Sequence, residues 1–283
     1  MSTDADPHST GAAPAIGDVG RAFAAASGRA EIIGVVVAAV VGPLVSILVN
    51  LGLAVTPLGR GWLELPVPWL SLSDVFFVLL LGVLWTVVAI ALMPARIRPA
   101  MEAFTWAGER SLEAMRAATG RDDAPTSPDA ARRWLDRTPE TAANRWIRVE
   151  ALLLAGDHAE ARATAERMTD DEPVAAWQRA DALATVDIVA TGSVDLAAYR
   201  AAVAALDGEV ALDGAAGLAI MESRVAIGAG ADWIAPLTAV RERIGRAADG
   251  ILWRRYLVRR LRAALPIMAA FAIGLGLIEL LFG

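Results

Sequence analysis

The sequence predicts an all-α protein made of two materials: three membrane-crossing helices and a cytoplasmic array of helical hairpins. Three observations predict it. Hydrophobic residues make up 56% of the 283-residue chain, more than an ordinary soluble domain carries. Charged residues still make up 20%, so apolar and polar stretches must be segregated along the chain. Glycines at 120, 156, 192 and 228 recur every 36 residues, a period in the range of paired-helix repeats.

The first residues, to about Ser9, are polar and read as disordered, within an N-terminal segment of residues 1–30. Ile32 to Val55 carry no charge, and as a helix they would reach about 36 Å, enough for a hydrocarbon core. This stretch, 32–55, is the first expected span. Because it starts beyond residue 30 and is too long for a signal-peptide core, it is expected to stay as an anchor. The second expected span, 75–93, ends at Pro94 with Arg96 and Arg98 just beyond. The third runs from Ala263 to Phe282 within 263–283, with Glu279 near its end.

Arginines close to span ends set orientation, since short basic flanks stay cytoplasmic. Arg21 and Arg29 precede the first span, and Arg96, Arg98 and Arg110 follow the second. The outer connection holds only Arg60, with Trp62 and Trp69 suited to an interfacial belt. The expectation is N-terminus and residues 94–262 inside, C-terminus outside. A chain without lysine and rich in alanine and arginine points to a GC-rich bacterial genome, hence a bacterial plasma membrane.

Within the first span small residues recur every fourth position: Gly34, Ala38, Gly42, Ser46, then Asn50. Such a stripe lets a neighbouring backbone approach, either inside one chain or between copies in a homo-oligomer. Ion or proton paths need ionisable groups inside the spans, and only Glu279 lies within one, near its end.

From Pro94 to Arg262 the sequence is alanine-rich and patterned at three and four residues, which reads as helix throughout. Met101–Thr119 and Asp129–Arg137 are expected to pair across the loop after Gly120. The clearest unit is Ala142 to Pro173. Trp146, Val149, Leu152 and Leu153 share one side of its first helix, and Gly156 ends that helix by a left-handed cap. Asp157 and Glu160 stand three apart, as in a capping box, before Ala161, Ala165 and Met168 on one face of the second helix. Later hairpins turn at Gly192 and at Gly228 or Gly230.

The run Gly156-Asp157-His158-Ala159-Glu160-Ala161, the proline at 173 and the 34-residue step from Pro139 to Pro173 resemble a tetratricopeptide repeat. The resemblance is strongest in this one unit. The bulky aromatic positions of the family are mostly absent, and the other hairpins fit either such an array or an irregular helical bundle. What the resemblance implies is a scaffold whose first helices line a groove for a protein partner. Ala143, Trp146, Glu150 and Leu153 would then face the groove, with hairpin core the competing place for Trp146.

Chemistry is narrowly bounded. There is no cysteine or lysine and there are two histidines, so thiolate metal sites, Schiff bases and P-loop lysines are excluded. No glycine-rich strand-to-helix turn or nucleophile elbow occurs, so neither a cofactor, a metal nor an enzymatic activity is expected. Residues 129–249 hold 20 acids against 13 arginines, a net of −7, which disfavours nucleic acid and suits a basic partner segment. Arg254, Arg255, Arg259, Arg260 and Arg262, ahead of the third span, are expected to meet anionic headgroups of a lipid bilayer. The functional expectation is a membrane-anchored interaction scaffold; the alternative is a structural subunit of an integral membrane complex.

Overall fold

The computed structural model describes residues 18–54, 72–120 and 125–262. Among these every regular element is a helix. In chain order they are α1 (Asp18–Ala54), α2 (Leu72–Ala91), α3 (Ile97–Thr119), α4 (Pro128–Arg137), α5 (Arg145–Ala155), α6 (His158–Glu166), α7 (Pro173–Thr191), α8 (Ala197–Ala204), α9 (Gly208–Gly228) and α10 (Ala235–Ile244). Short 3-10 turns precede α5 and follow α10, and residues 251–262 are again helical.

The chain divides into two compact units. The first contains described residues 18–23 and 99–248, and the second 24–98 and 249–262. Residues 249–262 therefore group with α1 and α2, whereas the sequence pattern assigned them to the hairpin region.

In the first unit local signals set where each helix begins and ends. Prolines 128 and 173 take the first turns of α4 and α7, where a missing N–H costs nothing. Gly156 (φ 88°) closes α5, its N–H donating to the Leu152 and Leu153 carbonyls, and the Asp157 carboxylate accepts the Glu160 N–H at 3.2 Å to open α6. Gly192 (φ 74°) closes α7 in the same way. The 36-residue period then fails by two residues: Gly228 is the last residue of α9, and the left-handed position falls to Gly230 (φ 65°).

Each helix from α4 to α9 packs on its successor, as do α9 and α10; α5 also packs on α7, and α7 on α9. Three apolar clusters fill the joints. Val149, Leu152 and Leu153 of α5 meet Ala161, Ala165 and Met168 around α6, and Ala182 and Val186 of α7. Met115 of α3 joins Ala131, Trp134, Ile147 and Ala151. Ile188, Leu196, Tyr199 and Met221 form the third. Alanine on these faces lets the helix axes approach closely, which is why so alanine-rich a sequence still packs a core. At the other end of α3, Phe104 lies 5.4 Å from Phe23, and Phe23 lies 4.9 Å from Trp233.

In the second unit three helices meet at one level. Gly34 of α1 seats the Trp85 ring, because a Cβ there would stand 2.8 Å from Trp85 Cδ1. Gly82 of α2 is likewise close to Leu261, 3.3 Å from an ideal Cβ. Arg260 donates to Glu31 Oε2 at 2.5 Å, with its guanidinium 4.3 Å from the Trp85 ring centroid and 5.0 Å from that of Tyr256.

One part of the expected fold class is corrected. Among the described residues no helix is long and apolar enough to cross a membrane, so the crossing helices expected over 32–55 and 75–93 are not found there. The expectation counted apolar length along the sequence alone. In the structure α1 starts at Asp18 and carries Arg21, Arg29 and Glu31, while its Gly34 and Ala38 are buried. Only the small residues of this stretch are packed on a neighbouring helix, while Ile32, Val36, Val40, Leu44 and Leu48 stay exposed. The third expected stretch, 263–282 with Glu279, lies outside the described residues, as do Trp62, Trp69 and the polar start of the chain.

Candidate functional site

The first helices of successive hairpins, α5, α7 and α9, carry three charged side chains within electrostatic reach of one another: Glu150, Asp181 and Arg224. Glu150 stands in the middle of α5 and is exposed; Asp181 and Arg224 are half-buried. Protein crowding raises the Glu150 carboxyl to about 7, with Asp181 adding a like charge and Arg224 opposing the rise. Water still reaches the side chain, which limits how far that rise goes.

Asp181 is held from the next hairpin. Tyr199 of α8, 1% exposed, donates its hydroxyl to Asp181 Oδ1 at 2.7 Å. Burial raises the Asp181 carboxyl, and the Tyr199 hydroxyl and Arg224 oppose that rise. Burial, followed by the neighbouring carboxylate, pushes the Tyr199 hydroxyl well above its ordinary value. The approach depends on α9, where a Cβ at Gly217 would come within 2.6 Å of the Tyr199 hydroxyl. A tyrosine, a carboxylate and a glycine on three helices thus fix the wall beside Glu150.

Of the four groove residues expected from the sequence, Ala143 is exposed in the turn before α5, and Glu150 is exposed on α5. Trp146 is half-buried and packs against two of the apolar clusters. Leu153 is 5% exposed and belongs to the hairpin core. Sequence reasoning missed Asp181, Tyr199, Arg224 and Gly217. The one signal for Asp181 was an acid set in the otherwise apolar run from Ala180 to Thr185.

A hollow of about 420 Å³ is lined by Ala118, Thr119, Arg137, Thr138, Pro139, Thr141 and Asn144. Its amide is already committed: Asn144 donates to the Pro139 carbonyl and accepts the Thr141 N–H, both at 2.9 Å. That pairing makes it a structural joint. Among the described residues no group of three or more acids and histidines is placed to hold a metal ion. His158 sits exposed at the first position of α6.

In the second unit the five arginines expected at a membrane surface separate into two kinds. Arg254, Arg255, Arg259 and Arg262 are exposed, whereas Arg260 is 6% exposed and engaged with Glu31. Burial lowers the Arg260 pKa from its ordinary value, and Glu31 works against that shift. Of the small-residue stripe, Gly34 and Ala38 are buried; the side chains at Gly42, Ser46 and Asn50 lie outside the described ones.

Compared with known protein families, curated proteins and solved structures, the chain matches none.

Proposed function

We propose that the first unit is a protein-interaction scaffold whose hairpins present the first-helix face of α5, α7 and α9 to a partner segment. One observation carries the reading: consecutive first helices pack on one another and bring Glu150, Asp181 and Arg224 into a single charged group. An exposed carboxyl flanked by fixed neighbours suits a basic segment, whose charge would favour the ionised form of Glu150. The net charge of −7 over residues 129–249 acts in the same direction at longer range. Trp146, half-buried at the start of α5, adds an aromatic surface of the kind that anchors interfaces.

The test is co-purification followed by mass spectrometry with three full preparations: the wild-type chain, Glu150→Arg, and a chain lacking residues 100–248. A partner lost from both variants, with the helicity of Glu150→Arg unchanged, supports the scaffold and its charged face. A partner kept by both overturns it.

A further inference from the structure

We propose that the second unit docks on a lipid bilayer rich in anionic phospholipid, with Arg254, Arg255, Arg259 and Arg262 as headgroup contacts. The inference is independent of the partner assigned to the hairpins. Two features of the unit lead to it, and they meet at one level of the structure.

The first is an aliphatic stripe. Ile32, Val36, Val40, Leu44 and Leu48 of α1 are 66%, 56%, 59%, 58% and 68% exposed. Spaced four apart, they form one row about 24 Å long at the helical rise. Water penalises so long an apolar row, and rows of this kind mark sites covered by another apolar phase. Opposite them Ser27, Ala30, Gly34 and Ala38 are buried, so this part of α1 has one face committed to protein and one uncommitted among the described residues.

The second is the helix over 251–262, with five arginines and no acid in a chain whose net charge is −6. At 100° per residue, positions 254, 255, 258, 259 and 262 share an arc of about 140°. Arg260 lies outside that arc, turned toward Glu31 of α1 and Trp85 of α2, with the Tyr256 ring beside it. None of the four outward arginines pairs with an acid among the described residues. In the hairpins, by contrast, Arg110, Arg145, Arg162, Arg167 and Arg200 all hold carboxylates.

Arg260 joins the two features. Its bond to Glu31 sets the arginine helix beside the residue that immediately precedes Ile32, where the exposed row begins. Trp253, 36% exposed, lies on the same helix, and tryptophan favours the headgroup level. An arginine face and an aliphatic face, on helices tied by the Glu31–Arg260 pair, complement a layer that presents phosphates above acyl chains. Charge complementarity therefore selects an anionic bilayer over a neutral protein surface.

Flotation of the purified full-length chain with vesicles tests the proposal, using phosphatidylcholine alone and phosphatidylcholine with phosphatidylglycerol. The chain is expected to float with the anionic vesicles. Replacing Arg254, Arg255, Arg259 and Arg262 together by Gln should weaken that binding by on the order of a hundredfold or more. Circular dichroism and tryptophan fluorescence confirm that the quadruple variant is folded, and Arg254→Gln with Arg255→Gln serves as a milder second variant. Equal flotation with neutral vesicles, or no loss in either variant, overturns the headgroup assignment. A chain that self-associates and floats with neither vesicle overturns the proposal in favour of a second copy covering the aliphatic face.

Discussion

In the hairpin unit most arginines that hold carboxylates are part-exposed and tie one helix to another, with Arg241 of α10, paired with Glu102 of α3, the inward exception. Arg110 of α3 holds Asp213 of α9 through two bonds of 2.9 Å, Arg162 of α6 holds Asp187 of α7, and Arg200 of α8 holds Glu222 of α9. In the second unit Arg260, paired with Glu31, is buried, while Ile32, Val40 and Leu48 are more than half exposed. The balance differs: paired arginines lie mostly at the rim of the hairpin unit, whereas Arg260 lies inside the second. Where alanine faces let helices pack closely, most charge is left for the rim; where aliphatic residues turn outward, a charged pair and an aromatic ring hold the helices together. Bulk composition averages over these two solutions and reports neither.

The severest way to break the comparison is Arg260→Met, which leaves Glu31 without its partner. Removing one member of a buried pair costs about 3–5 kcal/mol, and the low end applies because the Glu31 side chain keeps 31% exposure. Denaturant unfolding followed by tryptophan fluorescence reads the loss. Adding Glu31→Met should restore most of it, and equal loss in single and double variants would show that the pair does not hold these helices.

A smaller effect, about 1–3 kcal/mol of overpacking each, is expected from Gly34→Ala and Gly217→Ala, one in each unit. The first crowds Trp85 against its own carbonyl side, 3.2 Å from the new carbon, and the second crowds the Tyr199 hydroxyl. Comparing the two by thermal melting shows which unit tolerates a widened helix pair, and no loss at Gly217 would detach Tyr199 from the wall around Asp181.

Asp157→Ala should cost about 1 kcal/mol, the usual value of a lost N-cap. Hydrogen exchange at Glu160 should rise, because its N–H loses the carboxylate that accepts it; unchanged protection there would mean that packing alone opens α6.

The mildest expectation concerns pH. With the Glu150 carboxyl raised toward 7 and the unfolded value near about 4.3, the folded chain keeps a proton between those limits that the unfolded chain has lost. Stability therefore falls as pH rises through that window, and Glu150→Gln should flatten the slope. A variant with the wild-type slope would show that Glu150 is ionised throughout.

The sequence by itself determined helicity and where several helices start and stop: Pro128 and Pro173 in first turns, Gly156 and Gly192 in left-handed caps, Asp157 opening α6. These signals act within one turn of the chain, so neighbours in sequence suffice to produce them. The tertiary structure alone decided everything that depends on distant partners. Tyr199 reaches a carboxylate 18 positions away and Arg260 one 229 positions away, and no local pattern separates Arg260 from Arg259 or Arg262. Gly230 displaced Gly228 as the left-handed residue because α9 runs on through Gly228. Counting apolar residues gave membrane crossings that the described helices do not show, since the count cannot tell a side chain packed on a neighbouring helix from one left facing outward. Burial is a property of partners, and partners are supplied by the fold.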